Sequence, residues 1–326
     1  MKLLHRLFLY IGAGVVALST VPLQASEAKT YPDKLVRIVV PYPSGGPADI
    51  ITRILSEKLA AIWGKPVVVE NRSGAGGEIG SEVVARALPD GYTLLVNALP
   101  LIINPLYQKV AYDPFKDFTP VTELASFALI LVVHPSVVVR TLDELIALAK
   151  TAPGSVTIAN GGVGAPSQLC AMLLAQAAGV QLLHVPYKGG GEASSAVVGG
   201  QVMAMCDNAA NALPQVHAGT LRALAIAGAQ RLAIMPEVPS IAELGYPGFE
   251  VSGWLGLFAP AGLPRNIAVN LQADIARALK IPDVQQVLTT QGYGVIGSTP
   301  EEFAAFLSAD YDKWRKLIDR AGLKAN

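Results

Sequence analysis

The sequence predicts an α/β fold made of two lobes, each a mainly parallel sheet flanked by helices, with a ligand cleft between them. Three observations predict it. Strand-like and helix-like segments alternate along the 326-residue chain, which calls for parallel strands joined by right-handed crossovers. Several strand segments are continuous apolar runs, as in strands covered on both faces. A central α/β stretch reads as inserted in an outer one, entered at "ALILVVHPS" and left at "LRALAIAGA". Two crossings rather than one make a hinged pair: lobe 1 from 30–126 plus 227–326, and lobe 2 from 127–226.

Ahead of the lobes, Lys2, His5 and Arg6 precede an apolar stretch from Leu7 to Leu18 and small residues around Ala25 and Ala28. This is the pattern of a secretory signal, expected to span 1–25 and be cleaved. The apolar stretch is short for a spanning helix. The mature chain is expected to be periplasmic, soluble and monomeric.

Expected strands follow at "VRIVVPY" (36–42), "VVVEN" (67–71), "TLLVNA" (93–98) and "LILVVH" (129–134). The next are "VTIAN" (156–160), "LLHVPY" (182–187), "VMAMCDN" (202–208), "LRALAIA" (221–227) and "WLGLFAP" (254–260). Between the first two, Ile50, Ile51, Ile54, Leu55 and Leu59 share one face of a helix beginning near Pro47. "TLDE" (141–144) and "TPEE" (299–302) are capping boxes that open further helices, the second with Pro300 at the first helical position.

Parallel sheets bind ligands beyond the carboxyl ends of their strands. Those ends carry "PYPSGGPAD", "NRSGAGGEIG", "NALP", "NGGVGAPSQ", "PYKGGGE" and "DNAAN". The rim is thus one of backbone donors more than charged side chains. With 25 basic and 25 acidic residues the formal net charge is +0, so no basic face argues for nucleic acid.

The stretch "VVVENRSGAGGEIG" invites a dinucleotide reading. Gly74 and Gly76 fit G-x-G-x-x-G, but the third glycine position holds Ile79 and the acidic residue expected about 20 residues on is missing. A tight turn needing φ > 0 and a backbone nest for a small carboxylate remain. "PYPSGGPAD" offers a helix N-terminus with free N–H groups, and Asp49 can accept one of them while pairing with Arg53 at i+4. No catalytic set is present: no G-x-S-x-G and no H-E-x-x-H, and His5, His134, His184 and His217 are scattered. No enzyme activity, metal or cofactor is expected. An oxidising compartment permits a disulfide between Cys170 and Cys206, but two small buried thiols are the favoured expectation.

"YPDKLVRIVVPYPSGGPADIITRIL" followed by "VVVENRSGAGGEIGSEVVARALPDGYTLL" closely resembles the Bug family, the extracytoplasmic solute-binding proteins of tripartite tricarboxylate transporters. "LLHVPYKG", "GGQVMAMCDNAANALPQVHAGTLRALAIAG" and "EVPSIAELGYPGFEVSGWLGLFAPAGLP" resemble its later segments, so the likeness runs over essentially the whole chain from Tyr31. It implies a periplasmic-binding-protein-like fold that closes on a small organic carboxylate and hands it to integral-membrane transporter subunits. The first-lobe loops would hold one carboxylate largely through backbone N–H groups, and the second lobe would select the rest of the ligand. The candidate ligand-binding residues are Tyr42, Ser44, Gly45, Gly46, Ala75, Gly76 and Asn97 from lobe 1, with Gly164, Ala165 and Asp207 from lobe 2. Three positions depart from the family pattern: Ala165 and Gln168 stand where Ser and His are common, and Glu192 where Pro is common. Asp207 keeps an acidic position, and Lys188 is a candidate anion partner. A ligand sensor that presents its closed form to a receptor uses the same closure. A cofactor-dependent α/β enzyme is the weaker alternative.

Overall fold

The computed structural model describes residues 31–321; the expected signal segment lies outside them. The chain opens with β1 (Val36–Val40), α1 (Pro47–Trp63), β2 (Val67–Asn71), a 3-10 turn (Ala75–Gly77), α2 (Glu78–Ala85), β3 (Thr93–Ala98) and α3 (Pro100–Tyr107). The long β4 (Phe118–Val133) leads to α4 (Leu142–Thr151), β5 (Thr157–Asn160), α5 (Pro166–Ala178), β6 (Leu183–Pro186), α6 (Gly190–Val198), β7 (Ala204–Asn208), α7 (Ala209–His217) and β8 (Arg222–Ile226). The chain then returns through β9 (Ser252–Pro260), α8 (Arg265–Leu279), α9 (Pro282–Thr290), β10 (Tyr293–Val295) and α10 (Pro300–Ala321).

The strands run in the order β2-β1-β3-β9-β4-β7-β5-β6, with β8 and β10 also pairing β4. Parallel pairs, β1 with β2 and β3, and β5 with β6 and β7, build the two outer parts. The middle is antiparallel, where β9 pairs β3 and β4 and where β7, β8 and β10 pair β4. β4 changes partners at one point: Ala128 is the last residue opposite β9 and Leu129 the first opposite β7. Only the second part of β4 was expected as a strand. The first part, "FTPVTELASFA", reads as irregular because the β4–β9 register shifts at Pro120/Thr122 and Glu123/Ala125 break the period-2 pattern. The three-residue β10 is also unpredicted.

In the second part of β4 the alternation is clear. Leu129, Leu131 and Val133 enter the large core shared with β1, β3 and β9, while Ile130 and Val132 enter a smaller one with Val197, Met205 and Leu213. The Thr299–Glu302 capping box forms in full and the Thr141–Glu144 one in half, since the Glu144 carboxylate takes the Arg140 N–H in place of that of Thr141. The Thr141 Oγ1 accepts the Glu144 N–H at 3.2 Å, and Thr299 and Glu302 exchange both bonds, at 2.9 and 3.2 Å.

The expectation of two free thiols is corrected: Cys170 of α5 and Cys206 of β7 form a disulfide. α5 lies across β7 and brings the two Cα atoms to 6.2 Å, within bridging range.

One buried acid gives a pH-dependent stability. Glu123 of β4 is 7% exposed; burial, and then the charge of Asp310 on α10, push its carboxyl up to about 7. Burial also raises Asp310, against the hydrogen bond from the Trp254 indole N–H and the charge of Lys313. A raised folded-state value stabilises fully below the unfolded value of 4.5 and is lost as pH rises through about 7. Glu123→Gln is therefore expected to flatten the decline in stability between pH 5 and 8. It should leave the protein on the order of 1–2 kcal/mol more stable at pH 8. Urea unfolding at several pH values checks this; an unchanged slope refutes it.

Candidate functional site

The site grows out of two loops at the carboxyl edge of β1 and β2. After β1 the chain runs through Pro41 and Tyr42 to Gly45 at φ +82° and Gly46 as N-cap of α1, with Pro47 at the first helical position. After β2 four successive residues have positive φ: Gly74 (138°), Ala75 (47°), Gly76 (63°) and Gly77 (95°). Only glycine adopts such angles at no steric cost, so Ala75 is held there by its surroundings. Runs of this kind turn consecutive amides toward one point and make an anion-binding concavity.

The loops are tied together from behind. The Tyr42 hydroxyl donates to the Asn97 Oδ1 at 2.6 Å, the Asn97 Nδ2 donates to the Ser81 Oγ at 2.8 Å, and that hydroxyl donates to the Gly77 carbonyl at 2.7 Å. Asp49 is a second tie. Its carboxylate accepts the Gly45 N–H, the Arg53 Nε–H and the Asn71 Nδ2–H, each at 2.9 Å, while the Asn71 Nδ2 also reaches the Tyr42 carbonyl. Burial opposes ionisation of Asp49, but these bonds and the Arg53 charge hold its carboxyl below the usual carboxylate range.

The carboxyl ends of β5, β6 and β7 face these loops. Here the loop amides are largely satisfied from within. Gly161 donates to the Ser167 Oγ, Gly162 to the Asn160 Oδ1, Gly164 to the Gln168 Oε1 and Ala165 to the Gly162 carbonyl. Asp207, fully buried, accepts from the Ser194 Oγ at 2.6 Å and from the Asn211 Nδ2 at 3.3 Å. Burial pushes its carboxyl up to about 6 in spite of those bonds. The two sides touch through Asn104 of α3. Its Nδ2 donates to the Gly76 carbonyl at 3.1 Å, and its Oδ1 lies so close to Gly164 that a Cβ there would come within 2.5 Å.

Between the two sides lies a cavity of about 1050 Å³. Of the ten residues singled out by sequence, Tyr42, Ser44, Gly45, Gly46, Ala75, Gly76, Ala165 and Asp207 line it. Asn97 and Gly164 do not: Asn97 lies behind the Tyr42 hydroxyl, and Gly164 is buried beneath Asn104. The N–H groups of Gly45 and Ala165 are already engaged within the protein, so neither is an open donor. Lys188 and Glu192 line the cavity, as do Phe127, Gln108, Tyr187, Gln201 and Asn211, which the sequence did not single out. Asn211 was within reach, one helical turn beyond Asp207; Phe127 was not, being in the unrecognised part of β4. Among the described residues no group of three or more His, Cys, Asp or Glu side chains could hold a metal.

A family model described as "Tripartite tricarboxylate transporter family receptor" matches residues 51–323. Protein BugT of Bordetella pertussis is 36% identical over 301 residues, covering 91% of this chain and 92% of BugT. Three solved structures cover the fold in full. The periplasmic binding protein BugD superposes with TM-score 0.86 at 34% identity, covering 91% of this chain and 100% of that one. Rpa4515 of R. palustris, solved with adipate, gives 0.87 at 31%, with the same coverage. MatC of Rhodopseudomonas palustris, with bound malate, gives 0.84 at 35%, covering 88% and 100%. BugD is a periplasmic binding protein, and the two neighbours with named ligands hold small carboxylates. Since the family model covers most of the chain and BugT matches it over 91% of its length, the chain belongs to the tripartite tricarboxylate transporter receptor family, alongside the Bug proteins.

Proposed function

We propose that this chain is a periplasmic solute-binding protein that captures one small organic carboxylate by lobe closure and delivers it to a tripartite tricarboxylate-type membrane transporter. It has no enzymatic activity of its own and works as a monomer. The observation that carries the reading is the run of four positive-φ residues, Gly74–Gly77, opposite the α1 N-terminus on one wall of the cavity. The amides of Ser44, Gly46, Ala75 and Gly76 supply the grip on the carboxylate. Adipate in Rpa4515 and malate in MatC support the ligand class. Lobe 1 takes 30–126 plus 227–326 and lobe 2 takes 127–226. The change of partners at Ala128/Leu129, and the Ala227 N–H on the Leu129 carbonyl beside it, support a hinge there. Asn104, reaching Gly76 and Gly164 together, is positioned to register closure. Among the described residues no helix is long and apolar enough to cross a membrane.

Native mass spectrometry of the protein recovered from the periplasm reads both the start of the mature chain, expected after Ala25 or Ala28, and any acid it carries. A carboxylate panel then identifies the ligand by thermal shift. At one hundred times Kd the gain is about 2.7 kcal/mol, on the order of 5–10 °C in Tm. A shift with a nucleotide and none with any organic acid reverses the proposal.

A further inference from the structure

The second-lobe wall of the cavity carries an anion of its own. α6 is nine residues long and starts at Gly190 with Gly189 as N-cap, and Gly189, Gly190 and Gly191 all line the cavity. Small residues at a helix N-terminus leave amides and the positive end of the dipole open to a carboxylate. In this chain the first turn of that helix holds Glu192, which also lines the cavity and whose Oε2 faces the Lys188 N–H at 3.4 Å. The protein thus places its own carboxylate where the far carboxylate of a diacid would otherwise dock. Asp207 stands on the same wall, and the amides of the neighbouring α5 loop are taken by Ser167 and Gln168. Among the described residues Lys188 is the single Lys, Arg or His side chain lining the cavity, against Glu192 and Asp207.

We infer that Glu192 is a specificity residue: it excludes a second carboxylate and selects monocarboxylic acids whose far end is a hydroxyl or an ammonium group. This rests on the carboxylate reading of the first-lobe loops. With one carboxylate held there, a diacid brings a second negative charge against Glu192 and Asp207. An ω-hydroxy or ω-amino acid of the same length brings a donor that the Glu192 carboxylate can accept. The preference is the reverse of what the adipate-bound relative accommodates, and it follows from a residue of this chain's own.

The test uses isothermal titration calorimetry on the mature protein with acids matched in length: adipate, 6-hydroxyhexanoate and 6-aminohexanoate; succinate, 4-hydroxybutanoate and 4-aminobutanoate; and the same trio built on a benzene ring. In at least one set the hydroxy or amino acid is expected to bind about tenfold or more tightly than the diacid. Glu192→Gln, checked for folding by circular dichroism, should close that gap by tightening the diacid. Diacids bound by the wild type as tightly as their partners in every set that binds, or a preference that Glu192→Gln leaves unchanged, overturn the inference while the carboxylate reading stands. If none of these acids binds, the carboxylate reading falls and this inference falls with it.

Discussion

Gly76→Val is expected to weaken binding of the cognate acid at least about a hundredfold while the protein stays folded. Gly76 sits at φ +63° in the middle of the positive-φ run, where a β-branched residue is an outlier. A side chain there also meets the Asn104 Nδ2 at 3.2 Å and the Val163 carbonyl at 3.4 Å, so it presses on both sides of the cleft. The turn must re-form with its amides aimed elsewhere. Losing two bonds to a charged group, each worth about 1.5–3 kcal/mol, gives that hundredfold or more. Two controls separate grip from strain. Gly64→Val puts the same strain at φ +61° in the C-cap of α1, with nothing within 4 Å of the new Cβ, and should cost stability but not affinity. Lys188→Ala removes an exposed cation and should cost about fivefold or less. Calorimetry on the three variants decides. A folded Gly76→Val that binds normally beside a Lys188→Ala that does not would place recognition in a side-chain charge instead.

The largest expected loss of stability comes from Gly256→Val, at least about 3 kcal/mol. Gly256 lies on β9 between Asn97 of β3 and Glu123 of β4, and a Cβ there would fall 2.1 Å from the Phe303 ring. Phe303, fully buried on α10, is enclosed by Trp254, Phe258 and Phe306 at centroid distances of 5.2–6.5 Å and has nowhere to retreat. Phe303→Ala should cost a comparable amount, about 3–5 kcal/mol, by leaving a cavity. The two sites share one volume, so Gly256→Ala combined with Phe303→Leu should cost less than the sum of its parts. Urea unfolding of the singles and the double tests this, and additive costs would show that the ring and the strand do not compete for space.

Local chemistry was legible in the sequence and tertiary chemistry was not. Thr299–Glu302 forms as read because a capping box is complete within four residues, whereas at Thr141–Glu144 the threonine half forms and the Glu144 carboxylate turns to the Arg140 N–H. Asp49 was readable as an acceptor for an N–H of its helix start. That it takes the N–H of Gly45, and so removes a donor from the cavity, depends on where the loop folds back. Asn97 was noticed only as a residue past a strand; its place behind Tyr42 comes from β1 and β3 lying side by side. The Cys170–Cys206 bond joins a helix to the strand beneath it, and a separation of 36 residues says nothing of that contact. The first part of β4 was invisible because its register shifts hide the alternation that marks a strand.

β4 also sets when the molecule can take shape. Its first part has no neighbour until β9 arrives, more than a hundred residues later, and β9 is also the strand that covers the inner edge of β3. The opening β1–β2–β3 unit therefore leaves synthesis with an unpaired edge, and closing it needs contacts far apart in the chain, which are slow to form. Until the last quarter of the polypeptide emerges, the first lobe remains an open template, prone to pair with other chains and suited to a holding chaperone. A chain cut before Ser252 should for that reason aggregate rather than yield half a binding protein.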